Sequence, residues 1–200
     1  MEDDYAANKK AYDTLAGKWS QKYFNADVKR SMDLFVKYLK PGSKVLDIGC
    51  GPGRDTKELS SRGFNVTGVD FSEEMLKIAK THFSGGNFMQ MDMLDLKFPD
   101  NYFDGIWAMA SFLNIKKKDS LSTLKGFFRV LNEDGILAMA VKKGDGEIHE
   151  AEDGETRLFS LYSESELNDF LKRAGFYVLE GSTEKVKPNV WIEVVSRAVK

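Results

Sequence analysis

The chain predicts an α/β fold, a doubly wound sheet of seven strands with the last one antiparallel, on three features of its 200 residues. An apolar run, Val45-Leu46-Asp47-Ile48, enters the glycine turn Gly49-Cys50-Gly51-Pro52-Gly53, and a helical segment, Asp55 to Arg62, follows. A second apolar run, Asn65 to Asp70, ends in an acid 19 residues after Gly51, the interval of a strand-helix-strand unit. Beyond it, apolar strands alternate with helical patterns until a final pair of strand-like segments.

Taken in order, Tyr5 to Gly17 and Asp27 to Leu39 read as helices, the second stopped by Lys40-Pro41-Gly42. Trp19, Tyr23 and Phe24 lie between them, a cluster that serves either as packing or as an aromatic wall over a ligand. In the glycine turn, residues without a Cβ let the backbone pass close under a ligand, and with a helix following, the loop would deliver free backbone N–H groups to it. Asp47 narrows that ligand, since a carboxylate at the mouth of the loop repels phosphate and attracts an ammonium or a sulfonium. Arg54 stands where G-x-G-x-x-G would place its third glycine, and no Lys-Ser/Thr pair completes a P-loop. Asp70 suits either a helix cap or the ribose hydroxyls of an adenosine. Ser72 then caps the next helix, with Glu73 and Glu74 in its first turn, and Phe71 and Met75 are placed to line the adenine side.

Asn87 to Met91 is a short strand with Asp92 behind it, and Phe103 to Met109 is the next. The latter continues into Ala110-Ser111-Phe112-Leu113-Asn114-Ile115 at the carboxyl edge of the sheet, which makes Ala108, Phe112 and Asn114 candidates for the junction of cofactor and acceptor. Asn114 does not titrate and can only orient an acceptor. Ser120 to Leu131 is a helix whose buried stripe is Leu121, Leu124, Phe128 and Leu131, and Gly135 to Val141 is a fifth strand. Lys142 to Glu155, carrying Asp145, Glu147, Glu150, Glu152 and Asp153, is a polar excursion, either a solvated loop or a lid that closes over the acceptor. Order resumes at Arg157 to Tyr162. Ser163-Glu164-Ser165-Glu166 is a capping box for the helix Leu167 to Ala174, and Phe176 to Glu184 and Val190 to Val199 are the final strand pair. Lys116-Lys117-Lys118 and Lys142-Lys143 share the carboxyl edge, where they draw an anionic acceptor or pair with the acidic excursion.

Composition indicates one domain over residues 1–200, with 42% hydrophobic residues and no linker. A net charge of −2 argues against a broad nucleic-acid footprint. The single cysteine, Cys50, leaves no intramolecular disulfide, and the acidic, polar start and lack of a long apolar run point to a soluble, cytoplasmic protein without a membrane span. His82 and His149 are isolated and no metal-ligand spacing is visible, so no metal is expected. Cys50 sits inside the glycine loop, where it is an improbable covalent nucleophile.

VLDIGCGPG, VTGVDFS, Met91-Asp92-Met93, Tyr102-Phe103-Asp104, RVLNEDGILAMAV and RLFSLYSESELNDFLKRAGF, in that order, resemble the motifs of the class I S-adenosylmethionine-dependent methyltransferases, especially their small single-domain members. The resemblance implies a Rossmann-like sheet in the order 3-2-1-4-5-7-6, with residues 1–40 as a helical lid, 41–142 as the cofactor-binding core and 143–200 as the acceptor side. It implies S-adenosylmethionine as cofactor and S-adenosylhomocysteine as product. The cofactor contacts would be Tyr12, Trp19, Asp47, Gly49, Cys50, Gly51, Gly53, Asp70, Phe71, Met75, Asp92, Met93, Ala108 and Phe112. Asp92 would accept from the adenine amino group, with Met93 supplying a backbone contact, a plain turn carboxylate being the other reading of Asp92, and Tyr12 and Trp19 would gain a cation–π term from the sulfonium. Many relatives have a histidine where this chain has Asn114. Asn114, Arg157 and Tyr162 are the acceptor-side candidates, Arg157 suiting either an anionic or polar substrate or a surface salt bridge to the acidic loop. The expected activity is methylation of a small polar metabolite by a monomer or homodimer without covalent or metal catalysis. A tRNA wobble-base methylase and a non-catalytic cofactor sensor or partner subunit are the alternatives.

Overall fold

The computed structural model describes residues 4–200, and the elements alternate as expected. Three helices lead: α1 (Asp4–Thr14), α2 (Ala16–Phe24) and α3 (Lys29–Val36). Then come β1 (Lys44–Ile48), α4 (Arg54–Ser61), β2 (Asn65–Asp70), α5 (Glu73–His82), β3 (Asn87–Gln90), β4 (Phe103–Met109), α6 (Ser120–Val130) and β5 (Leu131–Lys142). The chain finishes with β6 (Glu147–Glu152), β7 (Glu155–Ser160), α7 (Glu164–Arg173), β8 (Phe176–Val186) and β9 (Asn189–Ala198).

Seven strands form one sheet in the order β3-β2-β1-β4-β5-β9-β8, the expected order once the β6-β7 pair is counted. The first five are parallel and β9 is antiparallel to β5. β1 lies between β2 and β4, so the strand order reverses beside it, and the segments that follow these strands leave the sheet along one carboxyl edge.

Alternation along β1 assigns its side chains to two cores. Leu46 and Ile48 join Ile106, Leu137 and Met139 under α6 and α7, where Leu124, Phe127, Leu167 and Leu171 are fully buried. Val45 joins Trp107, Ile136, Met32, Phe35 and Leu59 on the face covered by α3 and α4. Asp47 shares the parity of Val45 and so faces α4.

Four expectations change. The first helix breaks at Leu15, which is not helical in backbone (φ −102°, ψ 12°), so Trp19, Tyr23 and Phe24 belong to α2 rather than to a connection. The buried face of α6 is Thr123, Leu124, Phe127 and Val130, with Leu121 and Phe128 only partly covered, because helical spacing admits a stripe one position away. Ser163 caps α7 by accepting from Glu166 N–H at 3.1 Å, but the Glu166 carboxylate turns to Lys117 Nζ at 2.7 Å instead of returning to the cap. The polar excursion is largely a hairpin: β6 and β7 pair antiparallel around Asp153-Gly154, both at positive φ (50° and 84°), as a two-residue turn of the hairpin type requires. None of the helices among the described residues is long and apolar enough to cross a membrane.

Candidate functional site

The turn after β1 is where the site begins. Its three glycines all take positive φ, +69°, +50° and +82°, but their surroundings differ. A Cβ on Gly49 would lie 2.4 Å from Ser111 Cβ, and one on Gly53 would lie 2.8 Å from the Phe88 ring, so these two are closed in by the protein. Gly51 has no atom within 4 Å of that position among the described residues, so the loop opens outward there.

The backbone N–H groups of this loop are not free, contrary to expectation. Gly49 and Cys50 donate to Val69 C=O (2.8 and 3.0 Å), Gly53 to Cys50 C=O (3.0 Å), and Gly51 to Asp70 Oδ2 (2.9 Å). Asp70 also accepts from Ser72 N–H at 2.8 Å, so one carboxylate ties the ends of β1 and β2 together. Burial holds its pKa up at about 6, against the lowering effect of those two amides.

Asp47 is not at the mouth of the loop. The parity of β1 turns it under the loop, 2% exposed, where Thr56 Oγ1 donates to it at 2.6 Å. Burial first, and the neighbouring Asp55 second, push its carboxyl well above the usual range. Asp55 is fixed by Arg54 Nε at 2.6 Å and by Trp107 Nε1 at 2.9 Å. The Cys50 side chain is buried with Leu76, Ala79 and Phe88, and burial raises its thiol pKa, which leaves it unreactive.

The leading helices cover this edge. Phe71 carries the rings of Tyr5 and Tyr12, with centroids at 5.8 and 5.6 Å, and the Tyr5 hydroxyl faces Asp92. Asp92 also accepts from Leu94 N–H at 2.9 Å, while Met93 is half-buried against the main core. Met75 is fully buried with Ala11, Ala16 and Trp19, so it joins α5 to α1 and α2 instead of presenting a surface. Asn8 of α1 is 1% exposed. Its Nδ2 donates to Asn114 C=O (2.9 Å) and Leu158 C=O (3.3 Å), and its Oδ1 accepts from Leu158 N–H (2.7 Å).

Among the acceptor-side candidates, Asn114 and Arg157 come together and Tyr162 does not. Ala110, at φ +56°, turns the chain sharply after β4, so that Ser111 meets Gly49 and Asn114 reaches α1. Asn114 Oδ1 accepts from Tyr12 O–H at 3.2 Å, and Arg157 Nη1 reaches the same hydroxyl at 3.4 Å. The Arg157 guanidinium lies 3.8 Å from the Trp19 ring centroid and 4.8 Å from that of Phe159. Trp19 therefore already carries a cation on its face, and its Nε1 donates to Glu152 at 3.1 Å. Tyr162 is fully buried in the main core, its ring 5.8 Å from Phe112 and its hydroxyl 2.9 Å from Ser120 Oγ. Ala108 and Phe112 are likewise fully buried, so they support the edge from beneath.

Four lysines of the edge are paired. Lys142 contacts Glu150 at 2.6 Å, as the acidic excursion suggested, and Lys116, Lys117 and Lys143 contact Asp4, Glu166 and Glu164. Sequence reasoning passed over Tyr5, Asn8 and Ser111. Only Ser111 carried a signal, as the polar residue that follows a strand end at the carboxyl edge. Its Oγ is buried without a hydrogen-bond partner among the described residues, beside Gly49.

Residues 45–135 match a family described as a methyltransferase domain. The chain is 34% identical over 146 residues to a phosphoethanolamine N-methyltransferase of Zea mays, which covers 69% of this chain and 29% of that protein. The matches span between 29% and 58% of the curated relatives' own lengths. In fold, it is similar to a SAM-dependent methyltransferase of Methanosarcina mazei (TM-score 0.77, 22% identity, covering 83% of this chain and 97% of the other). It is similar too to the 1,6-didemethyltoxoflavin-N1-methyltransferase of Burkholderia thailandensis, solved with its substrate and S-adenosylhomocysteine (TM-score 0.79, 20% identity, 98% and 88% covered).

Proposed function

We propose that the chain is a class I S-adenosylmethionine-dependent methyltransferase, binds S-adenosylmethionine above Gly51 and transfers the methyl group to a small polar metabolite. The observation that carries this reading is the contrast within the loop: Gly49 and Gly53 are packed against protein, whereas Gly51 faces open space and is bonded to Asp70. A ligand lying on Gly51 has the Asp70 carboxylate beside it. That group has lone pairs left for ribose hydroxyls after accepting two amide bonds. Phe71 follows directly, under Tyr5 and Tyr12, and provides an apolar wall for the adenine.

The reaction is an in-line displacement. A lone pair on the acceptor attacks the methyl carbon, the carbon–sulfur bond breaks, and its electron pair leaves sulfur as the neutral thioether of S-adenosylhomocysteine. An acceptor that starts as N–H or O–H also loses a proton to water or to a neighbouring base. The protein's contribution is alignment and exclusion of water. Asn114, held through Tyr12, is placed to orient the acceptor and does not titrate.

Calorimetric titration with S-adenosylhomocysteine tests the cofactor reading. Binding on the order of micromolar is expected, with Asp70→Ala and Gly51→Val each weakening it by more than about tenfold, as loss of buried hydrogen bonding and obstruction of the site imply. Absence of binding by the unaltered protein ends the proposal. Transfer of labelled methyl to a metabolite extract then separates an enzyme from a silent cofactor sensor.

A further inference from the structure

The Arg157 guanidinium is buried but poorly satisfied. Its side chain is 9% exposed, and its Nε has no hydrogen-bond partner among the described residues. Its other contacts are long: Tyr12 and Tyr23 hydroxyls at 3.4 Å each and Glu152 Oε2 at 3.5 Å, against about 2.7–2.9 Å for a well-made charge-assisted bond. A buried cation paired so loosely is costly unless another anion completes it. Two aromatic rings, Trp19 and Phe159, hold the guanidinium plane in place, and Phe159 also carries Lys142 Nζ at 3.8 Å. Two cations thus share one ring, and each is met by a carboxylate of the β6-β7 hairpin, Glu150 for Lys142 and Glu152 for Arg157. Through Tyr12 the guanidinium is linked to Asn114 and to Phe71, the residue after Asp70.

We propose that Arg157, supported by Lys142, is the recognition group for a methyl acceptor that is a small oxyanion, a carboxylate or a phosphate monoester, and that Glu152 is an internal stand-in displaced when the acceptor binds. The proposal rests on the methyltransferase reading and narrows its substrate class. Glu152 suits the part because its remaining partners, Trp19 Nε1 at 3.1 Å and Lys18 Nζ at 2.8 Å, belong to the lid and can keep it after it leaves the guanidinium. Anion capture at Arg157 and movement of the hairpin are then one event.

The test is transfer of labelled methyl from S-adenosylmethionine to a metabolite extract split on an anion exchanger at pH 8. Acceptor activity is expected in the retained fraction, and its loss after alkaline phosphatase treatment assigns a phosphate monoester, whereas its survival assigns a carboxylate. With that fraction, Arg157→Gln should raise KM by about tenfold or more and Arg157→Lys by less, while Glu152→Gln should lower KM severalfold because the competing charge is gone. S-adenosylhomocysteine affinity of each variant reports whether its fold is intact. Glu152→Gln, a partly exposed isosteric change, keeps the test valid if Arg157→Gln does not fold. Activity confined to the unretained fraction, or a KM unmoved by Glu152→Gln, overturns the proposal and leaves the methyltransferase reading standing. Absence of transfer from every fraction removes both.

Discussion

Replacing Gly49 by alanine probes the join between the glycine loop and the β4 edge. Two separate costs arise. The backbone at φ +69° is left-handed, where a side chain costs about 1–2 kcal/mol. The new Cβ would also lie 2.4 Å from Ser111 Cβ, and relieving such overpacking costs about 1–3 kcal/mol because Ser111 is held by the turn at Ala110. Together the variant should lose about 2–5 kcal/mol, read in urea as a lower midpoint with an unchanged slope. A double-mutant cycle separates the two terms. Gly49→Ala in a Ser111→Gly background should recover the overpacking part and keep the left-handed part, giving a coupling of about 1–3 kcal/mol. A Gly49→Ala protein within about 0.5 kcal/mol of the original, or a cycle with no coupling, would refute the reasoning.

Four further outcomes follow from the same geometry. Asp70 has a folded pKa of about 6 against an ordinary 3.8, so the folded state holds its proton longer than the unfolded chain does. Stability should therefore fall by about 3 kcal/mol as pH rises from 4 to beyond 6, while S-adenosylhomocysteine affinity rises through pH 6 because ribose hydroxyls favour the ionised form; titrations of both against pH check the opposite signs. Asp47→Asn removes the cost of protonating a buried acid on folding at neutral pH and keeps the acceptor for Thr56, so the variant should melt higher there and lose less cofactor affinity than Asp70→Ala. Asn8→Ala leaves Leu158 N–H unpaired in a buried place, and a loss of about 1–3 kcal/mol with faster hydrogen exchange in α1 and β7 is expected. Tyr162→Phe deletes one buried hydrogen bond to Ser120, so about 1 kcal/mol of stability should go, with KM for the acceptor unchanged; a raised KM would return Tyr162 to the acceptor site.

Local pattern in this chain was enough to read the strand-turn-helix at Val45 to Arg62 and the acid at Asp70, whereas the order of the sheet came from the family resemblance. Each follows from chain chemistry over a few residues: apolar parity, glycine where φ is positive, and caps such as Ser72 and Ser163. The Asp153-Gly154 turn was equally legible, but the charges around it drew the reading toward a loop. Side-chain destinations were another matter. Asp47 was taken for a group at the loop mouth, although the alternation along β1 already sets it beside Val45, on the side where α4 supplies Thr56. Tyr162 and Arg157 lie five residues apart, yet one turns into the core against Phe112 and the other toward α2 against Trp19. Nothing local distinguishes them. Burial is decided by which elements meet, and Asn8, 106 residues from Asn114 and 150 from Leu158, acquires its role only when α1 closes over the edge. Sequence alone thus determined the frame and the glycine turn at its carboxyl edge. Which charges stand at that edge, and which are turned away, was decided by contacts between distant segments, whose energies no short window of residues contains.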